Sequence, residues 1–414
     1  MSATPEGARF GATSADAARS GWLRFDRHEL AGGLGDAGLL VPLAVALIAL
    51  NGLSATAVFA GVGAAYIGTA LYFKVPVPVQ PLKAFAAAAI ALQLDAATLA
   101  AGALLMAVAM AVLAGTGVAG WLAQRFPIVL VRGIQASVAL LLASAAIELA
   151  QRGNWAGLPP IDPTVGVAMA VVTCSVLLLC RRSWRVPGSL AVLAAGAGVG
   201  LAVAGVPSGV GVGPEAVAVS IPDGGAFVTA LTALVIAQIP LTFGNSVVAT
   251  VDAERSYFGD RAQRVTAGRL AGSIAVWNTA AGLTAGLPVC HGAGGVTAHY
   301  RLGARRAAAT VAAGVLFLVL GIALGDSLPI LLQLLAPGAL AGMLLFVAIQ
   351  HAMLAARLER LDERVIVAGV GLVTLFSGNL AIGFGAGVAV LLARRAWRRP
   401  SAEPASTPGG PVHA

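Results

Sequence analysis

The sequence predicts an all-α polytopic membrane protein of about fourteen transmembrane segments, built as a seven-plus-seven inverted repeat. Three observations predict it: an apolar composition, a regular alternation of arginine-bearing loops, and two short broken segments at matching places in the halves. Hydrophobic residues make up 58% of the 414-residue chain and charged residues only 11%. Mean hydropathy is +0.88. A soluble domain carries about 25% charged residues, so this chain cannot cover a water-facing surface of its size. Stretches such as 97–118, 127–147, 163–180 and 306–325 run nearly free of charge. Each has the roughly 18 or more residues a helix needs to cross hydrocarbon. The abundant glycine, 52 residues, suits close helix contact in a bilayer.

The apolar segments fall near 31–50, 54–73, 81–93, 97–118, 127–150, 163–181 and 187–206, then 226–252, 265–285, 291–303, 306–325, 329–356, 364–376 and 378–395. Lysine and arginine mark the cytoplasmic side of such a chain. With the N-terminus inside, inner ends carry Arg125, then Arg181, Arg182 and Arg185, then Arg255, Arg261 and Arg264, then Arg301, Arg305 and Arg306, then Arg357, Arg360 and Arg364, and finally Arg394 to Arg399. Arg152 is the one clear exception on the outside. A miscounted segment would reverse the alternation from that point onward, so the pattern predicts an even number of spans and two cytoplasmic termini in a bacterial-type inner membrane.

Residues 1–28 and 396–414 read as cytoplasmic tails, and residues 1–25 lack the apolar core and small-residue cleavage site of a signal peptide. The Gly- and Pro-rich linker 207–225, predicted outside, separates a first repeat, 29–206, from a second, 226–395. Seven helices per half place the halves in opposite orientation, the arrangement in which a binding site forms near the midplane at broken helices.

Net charge is +8, but it sits at segment ends rather than in a patch, which argues against a nucleic-acid partner. The three cysteines, Cys174, Cys180 and Cys290, lie in apolar segments without histidine at ligand spacing. No disulfide framework, metal site or cofactor is expected. Gly196–Gly200 lacks the spacing of a dinucleotide fingerprint.

The chemistry concentrates in two stretches. In Lys74-Val-Pro-Val-Pro-Val-Gln-Pro-Leu-Lys83, prolines 76, 78 and 81 forbid a helix and favour extended chain. Six or seven extended residues rise about 20 Å, enough to return from the inner face to mid-membrane. Pro81 then suits the first turn of a new helix. The second half offers Gly286-Leu-Pro-Val-Cys-His-Gly-Ala-Gly-Gly295. Two half-helices would thus start near the bilayer centre, their positive N-termini facing each other, and free N–H groups with converging dipoles make an anion site. Gly292 and Gly294 let the backbone approach a ligand closely.

Lys83 opens a helix whose dipole repels it, and an intramembrane charge needs a partner or a function. Either a bound dianion supplies the counter-charge, or Lys83 snorkels or pairs with Asp36. Asp36 itself is either a proton-coupling carboxylate or a helix N-cap. In the eighth segment Gln238, Thr242, Asn245 and Ser246 recur at helical spacing on one face, lining a cavity or bonding helices together. His291 either donates to an anion and titrates, or is simply hydrogen-bonded in the bundle. Gln80 and Pro81 complete the candidate substrate-binding set. Glu148 reads as a surface residue, and His299, His351 and Cys290 as packing residues.

These motifs resemble the molybdate transporter family, a branch related to the SulP sulfate permeases. The resemblance is carried by Gly35-Asp-Ala-Gly-Leu-Leu-Val-Pro42, Pro78-Val-Gln-Pro-Leu-Lys83, Gln238-Ile-Pro-Leu-Thr-Phe-Gly-Asn-Ser246, Pro288-Val-Cys-His-Gly-Ala-Gly-Gly295 and Tyr300-Arg-Leu-Gly-Ala-Arg305. It spans most of the chain. Leu39, Leu82, Phe243-Gly244 and His299 depart from the family's usual threonine, methionine, Thr-Leu and glutamine. The resemblance implies the fold of sulfate and uracil permeases, in which a core domain (spans 1–4 and 8–11) moves against a gate domain (5–7 and 12–14). About twenty residues follow the last span, where typical SulP permeases carry a regulatory domain. The implied activity is secondary uptake of a tetrahedral oxyanion, molybdate or sulfate, with a co-transported proton and a homodimer as further expectations.

The alternatives are an anion channel or nucleobase permease of the same fold, and an intramembrane aspartyl protease suggested by Gly33-Leu-Gly-Asp36. The protease needs a second carboxylate sharing a proton with the first. Asp95 and Asp326 sit instead at the outer edges of their segments. A neutral nucleobase would gain little from Lys83.

Overall fold

The computed structural model describes residues 21–35, 37–118, 127–152, 155, 162–180, 188–358 and 360–397. Asp36, Arg125, Arg181, Arg182 and Arg185 lie outside the described residues, as do 1–20 and 398–414. Helices occupy each predicted segment. In the first half, α1 (Arg27–Gly33) and α2 (Ala37–Asn51) share the first segment, followed by α3 (Ala55–Phe73), α4 (Lys83–Ala91), α5 (Ala96–Thr116), α6 (Ile128–Ala150), α7 (Pro163–Cys180) and α8 (Gly188–Ala204). The second half begins with a long helical run, α9 (Gly224–Ala262). It continues through α10 (Ala267–Thr284), α11 (Ala293–Arg301), α12 (Ala308–Leu324), a short α13 (Leu328–Leu332) with α14 (Pro337–Ala355), α15 (Leu361–Ser377) and α16 (Leu380–Trp397).

Among the described residues α3, α5, α6, α7, α9 and α14 are each long and apolar enough to cross a membrane, and the bent α1–α2 pair makes a further candidate. By contrast α4 and α11 have nine residues each, about half of a crossing. Their shortness has a local cause. After α3 the chain leaves the helix through Lys74 at φ 61°, and after α10 through Ala285 at φ 50°. Both are left-handed C-caps on non-glycine residues, unusual positions that recur at corresponding points of the two halves. The prolines that follow hold both chains extended, as β1 (Gln80–Pro81) and β2 (Val289–Cys290).

The packing has the exchange symmetry an inverted repeat requires. The most extensive pairings are α3 with α12, α5 with α10, and α6 with α14. Exchanging each segment with its counterpart seven further on turns the first pair into the second and leaves the third unchanged. The same exchange converts the pairing of α7 with α14 into that of α6 with α15, which is also extensive.

Charge separates the two ends of the bundle. At one end Glu29, 1% exposed, accepts the backbone N–H groups of Arg305 and Arg306 at 3.1 Å and pairs with the Arg306 guanidinium at 3.4 Å. Arg264 donates to the Tyr72 carbonyl at the end of α3. Burial alone would raise the nearby Asp26 carboxyl, yet the backbone N–H groups of Glu29 and His28 and the Arg306 charge hold it below its ordinary value. At the other end the predicted linker is pinned rather than loose. Glu215 bonds Ala55 N at the start of α3, Gly213 bonds Ala323 near the end of α12, and Ser220 bonds Leu283 at the end of α10.

Candidate anion site between two half-helix starts

The two proline- and glycine-broken stretches meet. β1 and β2 pair antiparallel, Gln80 opposite Cys290 and Pro81 opposite Val289, and Leu82 N donates to Pro288 O at 3.0 Å. Each strand runs into its half-helix within three residues, so α4 and α11 start on either side of one crossing and run apart. Neither start receives a capping bond from its own N-cap side chain, Leu82 in α4 and Gly292 in α11. First-turn N–H groups need partners from elsewhere.

Lys83 lies at this crossing. It is 8% exposed, and its Nζ donates to Gln80 Oε1 at 2.7 Å. Among the described residues no carboxylate pairs with it. A Cβ built on Gly292 would fall against Gln80 Oε1 and 3.2 Å from Lys83 Nζ. Lys83, Gln80 and Gly292 are therefore one cluster, a buried ammonium folded back across two positive helix ends. Electrostatically this is a cationic junction, chemically suited to an anion.

The remaining expected site residues divide into those that face this junction and those that brace it. Gln238 Oε1 accepts Phe85 N–H at 2.8 Å, supplying from α9 part of the capping that Leu82 does not. Its Nε2 donates to Thr242 Oγ1 at 2.8 Å. Gln238, Thr242 and Ser246 form a buried row, whereas Asn245 is only half-buried. The reason is that Thr242–Val248 is a π turn, so the 3.6-residue spacing that places all four residues on one face does not run through it. His291 is fully buried, with Nδ1 2.8 Å from Pro78 O and Nε2 3.0 Å from Ser273 Oγ. Its ring ties the two broken stretches together, and both nitrogens are occupied. Gly294 is exposed with open space beside it. Pro81 forms the strand crossing itself, and Asp36 lies outside the described residues.

Three further residues, which no sequence motif marks, brace the junction. Asn278 is fully buried on α10; its Oδ1 accepts Val289 N–H at 3.1 Å and its Nδ2 donates to Val289 O at 2.6 Å. Thr250 donates to His291 O at 2.7 Å, and Ser273 holds the His291 ring. An amide inside the apolar tenth-helix sequence was the available signal for Asn278. Thr250 and Ser273 resemble many other small polar residues of the helices.

A bundle of this kind, with paired half-helices that leave a cation at their shared start, defines an anion transporter. Comparison with known proteins agrees. The profile of the family described as "Molybdate transporter of MFS superfamily" matches residues 28–142 and 230–350, more than half of the chain. The chain belongs to this molybdate transporter family. It is 28% identical to "Molybdate transporter 2" of Arabidopsis thaliana over 426 residues, 91% of this chain and 90% of the relative. Identity to "Molybdate transporter 1" of the same plant is also 28%, over 434 residues covering 92% and 91%.

Among solved structures, the transmembrane domain of the cyanobacterial bicarbonate transporter BicA superposes with a TM-score of 0.62 at 16% identity, covering 87% of this chain and 97% of that one. SLC26A9 superposes with a TM-score of 0.62 at 14% identity, covering 90% of this chain and 65% of the larger protein. At such identities these likenesses establish the fold. It is the fold of BicA and SLC26A9, whatever superfamily the family's description names.

Proposed function

We propose that the protein takes up a tetrahedral oxyanion, molybdate first, by alternating access in a bacterial-type plasma membrane with both termini cytoplasmic. The observation that carries this reading is the buried Lys83 at the shared start of α4 and α11, which no carboxylate pairs among the described residues. The names of the full-length relatives favour molybdate as the oxyanion. The anion sits at the crossing, held by Lys83, first-turn N–H groups and the close approach that Gly292 permits, with Asn245, Ser246 and the open side of Gly294 bordering it. Gln238, Thr242 and His291 keep the two stretches in register.

Helices α1–α5 with α9–α12 act as the core, and α6–α8 with α13–α16 as the gate. An asymmetry in their contact supports a two-state mechanism. Half-helix α4 packs along gate helix α6, but α11 makes no comparable contact with α14, the counterpart under exchange of the halves. Core and gate therefore meet on the α4 side, which the arginine pattern predicts to lie outside. Rocking of core against gate would exchange the two contacts.

A proton accompanies the anion in this proposal, because each negative charge entering against a negative-inside potential costs about 2.3 kcal/mol per 100 mV. Asp36 is the carrier put forward from the sequence. Uptake of labelled molybdate by proteoliposomes under an inward proton gradient is expected to be concentrative, abolished by an uncoupler, inhibited by tungstate and sulfate, and indifferent to uracil. Flow that never exceeds equilibrium would identify a channel. Competition by uracil without competition by the oxyanions would overturn the substrate class.

A further inference from the structure

His351 lies in α14, a helix of the gate, and reads from the sequence as a packing residue. A packed histidine in an apolar bundle normally bonds a backbone carbonyl or a hydroxyl, as His291 does on both nitrogens. His351 does neither. It is 2% exposed, and both of its ring nitrogens are buried without a hydrogen-bond partner. In either tautomer a neutral imidazole presents one N–H donor and one acceptor nitrogen. Leaving both unmatched in a buried position costs free energy; the other described histidine in this state, His299, stacks on Tyr66.

Its surroundings indicate what completes it. Lys83 lies within Coulombic reach of the His351 ring. The helices that carry the two residues, α4 and α14, share no extensive backbone contact. Other described charged groups on the elements packed against α14 are Arg132 and Glu148 of α6, and α7 adds the free thiols Cys174 and Cys180. Arg132 bonds Gln135, and Glu148 sits near the other end of α6, so neither satisfies the ring.

We infer that His351 is a gate-side ligand of the transported anion, donating its ring N–H to an oxyanion oxygen opposite Lys83. The inference rests on the anion-site reading above and adds to it a contact from the other domain. A ligand held by core and gate together ties closure of the gate to occupancy of the site. An empty core could not recruit that contact, and a substrate lacking an acceptor oxygen on that side would not satisfy it.

The test uses the full chain, purified in detergent, with molybdate binding followed by calorimetry. His351→Leu removes the donor and keeps the bulk, and is expected to raise Kd roughly 10- to 100-fold, the range of one hydrogen bond to a charged acceptor. His351→Gln restores an N–H and is expected to recover most of that loss. Wild-type affinity in His351→Leu would overturn the inference. If Lys83→Ala nonetheless loses binding, the anion site stands and only the gate contact falls; if Lys83→Ala also binds normally, the site reading fails with it.

A second measurement does not depend on how His351→Leu folds. In the unsubstituted chain with labelled imidazoles, five histidines are present, and His351→Gln identifies the resonance of residue 351. Addition of tungstate is expected to shift that resonance, and an unmoved signal would overturn the inference.

Discussion

Replacement of Lys83 by alanine is expected to reduce molybdate uptake by at least about 100-fold while the protein still inserts into the membrane and elutes as a single species. The physical reason is the environment of the ammonium. It is buried at the first residue of a helix whose dipole opposes it, and among the described residues Gln80 is its bonded partner while no carboxylate balances it. A charge kept there against both effects is stabilised by what the site binds. Loss of the charge removes an interaction with a dianion in a water-poor setting, where such contacts are worth most. Initial rates in proteoliposomes at matched protein density measure the effect. Uptake that persists in Lys83→Ala would remove this residue from the site.

The second large effect is expected at Gly292. A methyl group there would overlap Gln80 Oε1 and crowd Lys83 Nζ. Gln80 has little room to yield: it is 2% exposed and locked in the strand crossing opposite Cys290. Gly292→Ala should therefore displace the lysine–glutamine pair and lower uptake by more than about 10-fold. Gly61→Ala serves as the control, because a Cβ at that position on α3 meets nothing within 4 Å. Rates in Gly292→Ala equal to those of the control would show that the cluster tolerates expansion and that close approach is not its design.

The features legible in the sequence are those fixed by solvent and by backbone chemistry. Lipid as solvent demands long uncharged helices, so their positions follow from composition. Prolines 76, 78, 81 and 288 announce the two broken helices because no helix passes through them. The β1–β2 register was not legible, since four strand residues pairing across more than two hundred positions leave no local periodicity. Nor were the π turns at Leu231–Val235 and Thr242–Val248, which depend on tertiary context and shift the phase of the polar row. Gln238 was readable as polar but not as the cap of a helix more than 150 residues earlier.

Histidines were least legible of all. His291, His299 and His351 are indistinguishable as letters in apolar surroundings. Only coordinates separate a ring bonded on both sides from one left unmatched. Buried ion pairs fared similarly. The alternation predicted arginines at one end of the bundle, and the Glu29 carboxylate that gathers Arg305 and Arg306 emerged only from packing.

One oxyanion is expected to occupy the junction of the two half-helix starts. Tungstate is a heavy-atom analogue of molybdate with the same charge and shape, so anomalous scattering at a tungsten absorption edge from crystals of the complex locates the ligand directly. A single strong peak is expected between the first turns of Lys83–Ala91 and Ala293–Arg301, within contact distance of Lys83 and Gly292. A peak instead at the Arg305–Arg306 cluster, or in the surface groove lined by Arg360 and Arg394, with the junction empty, would contradict it.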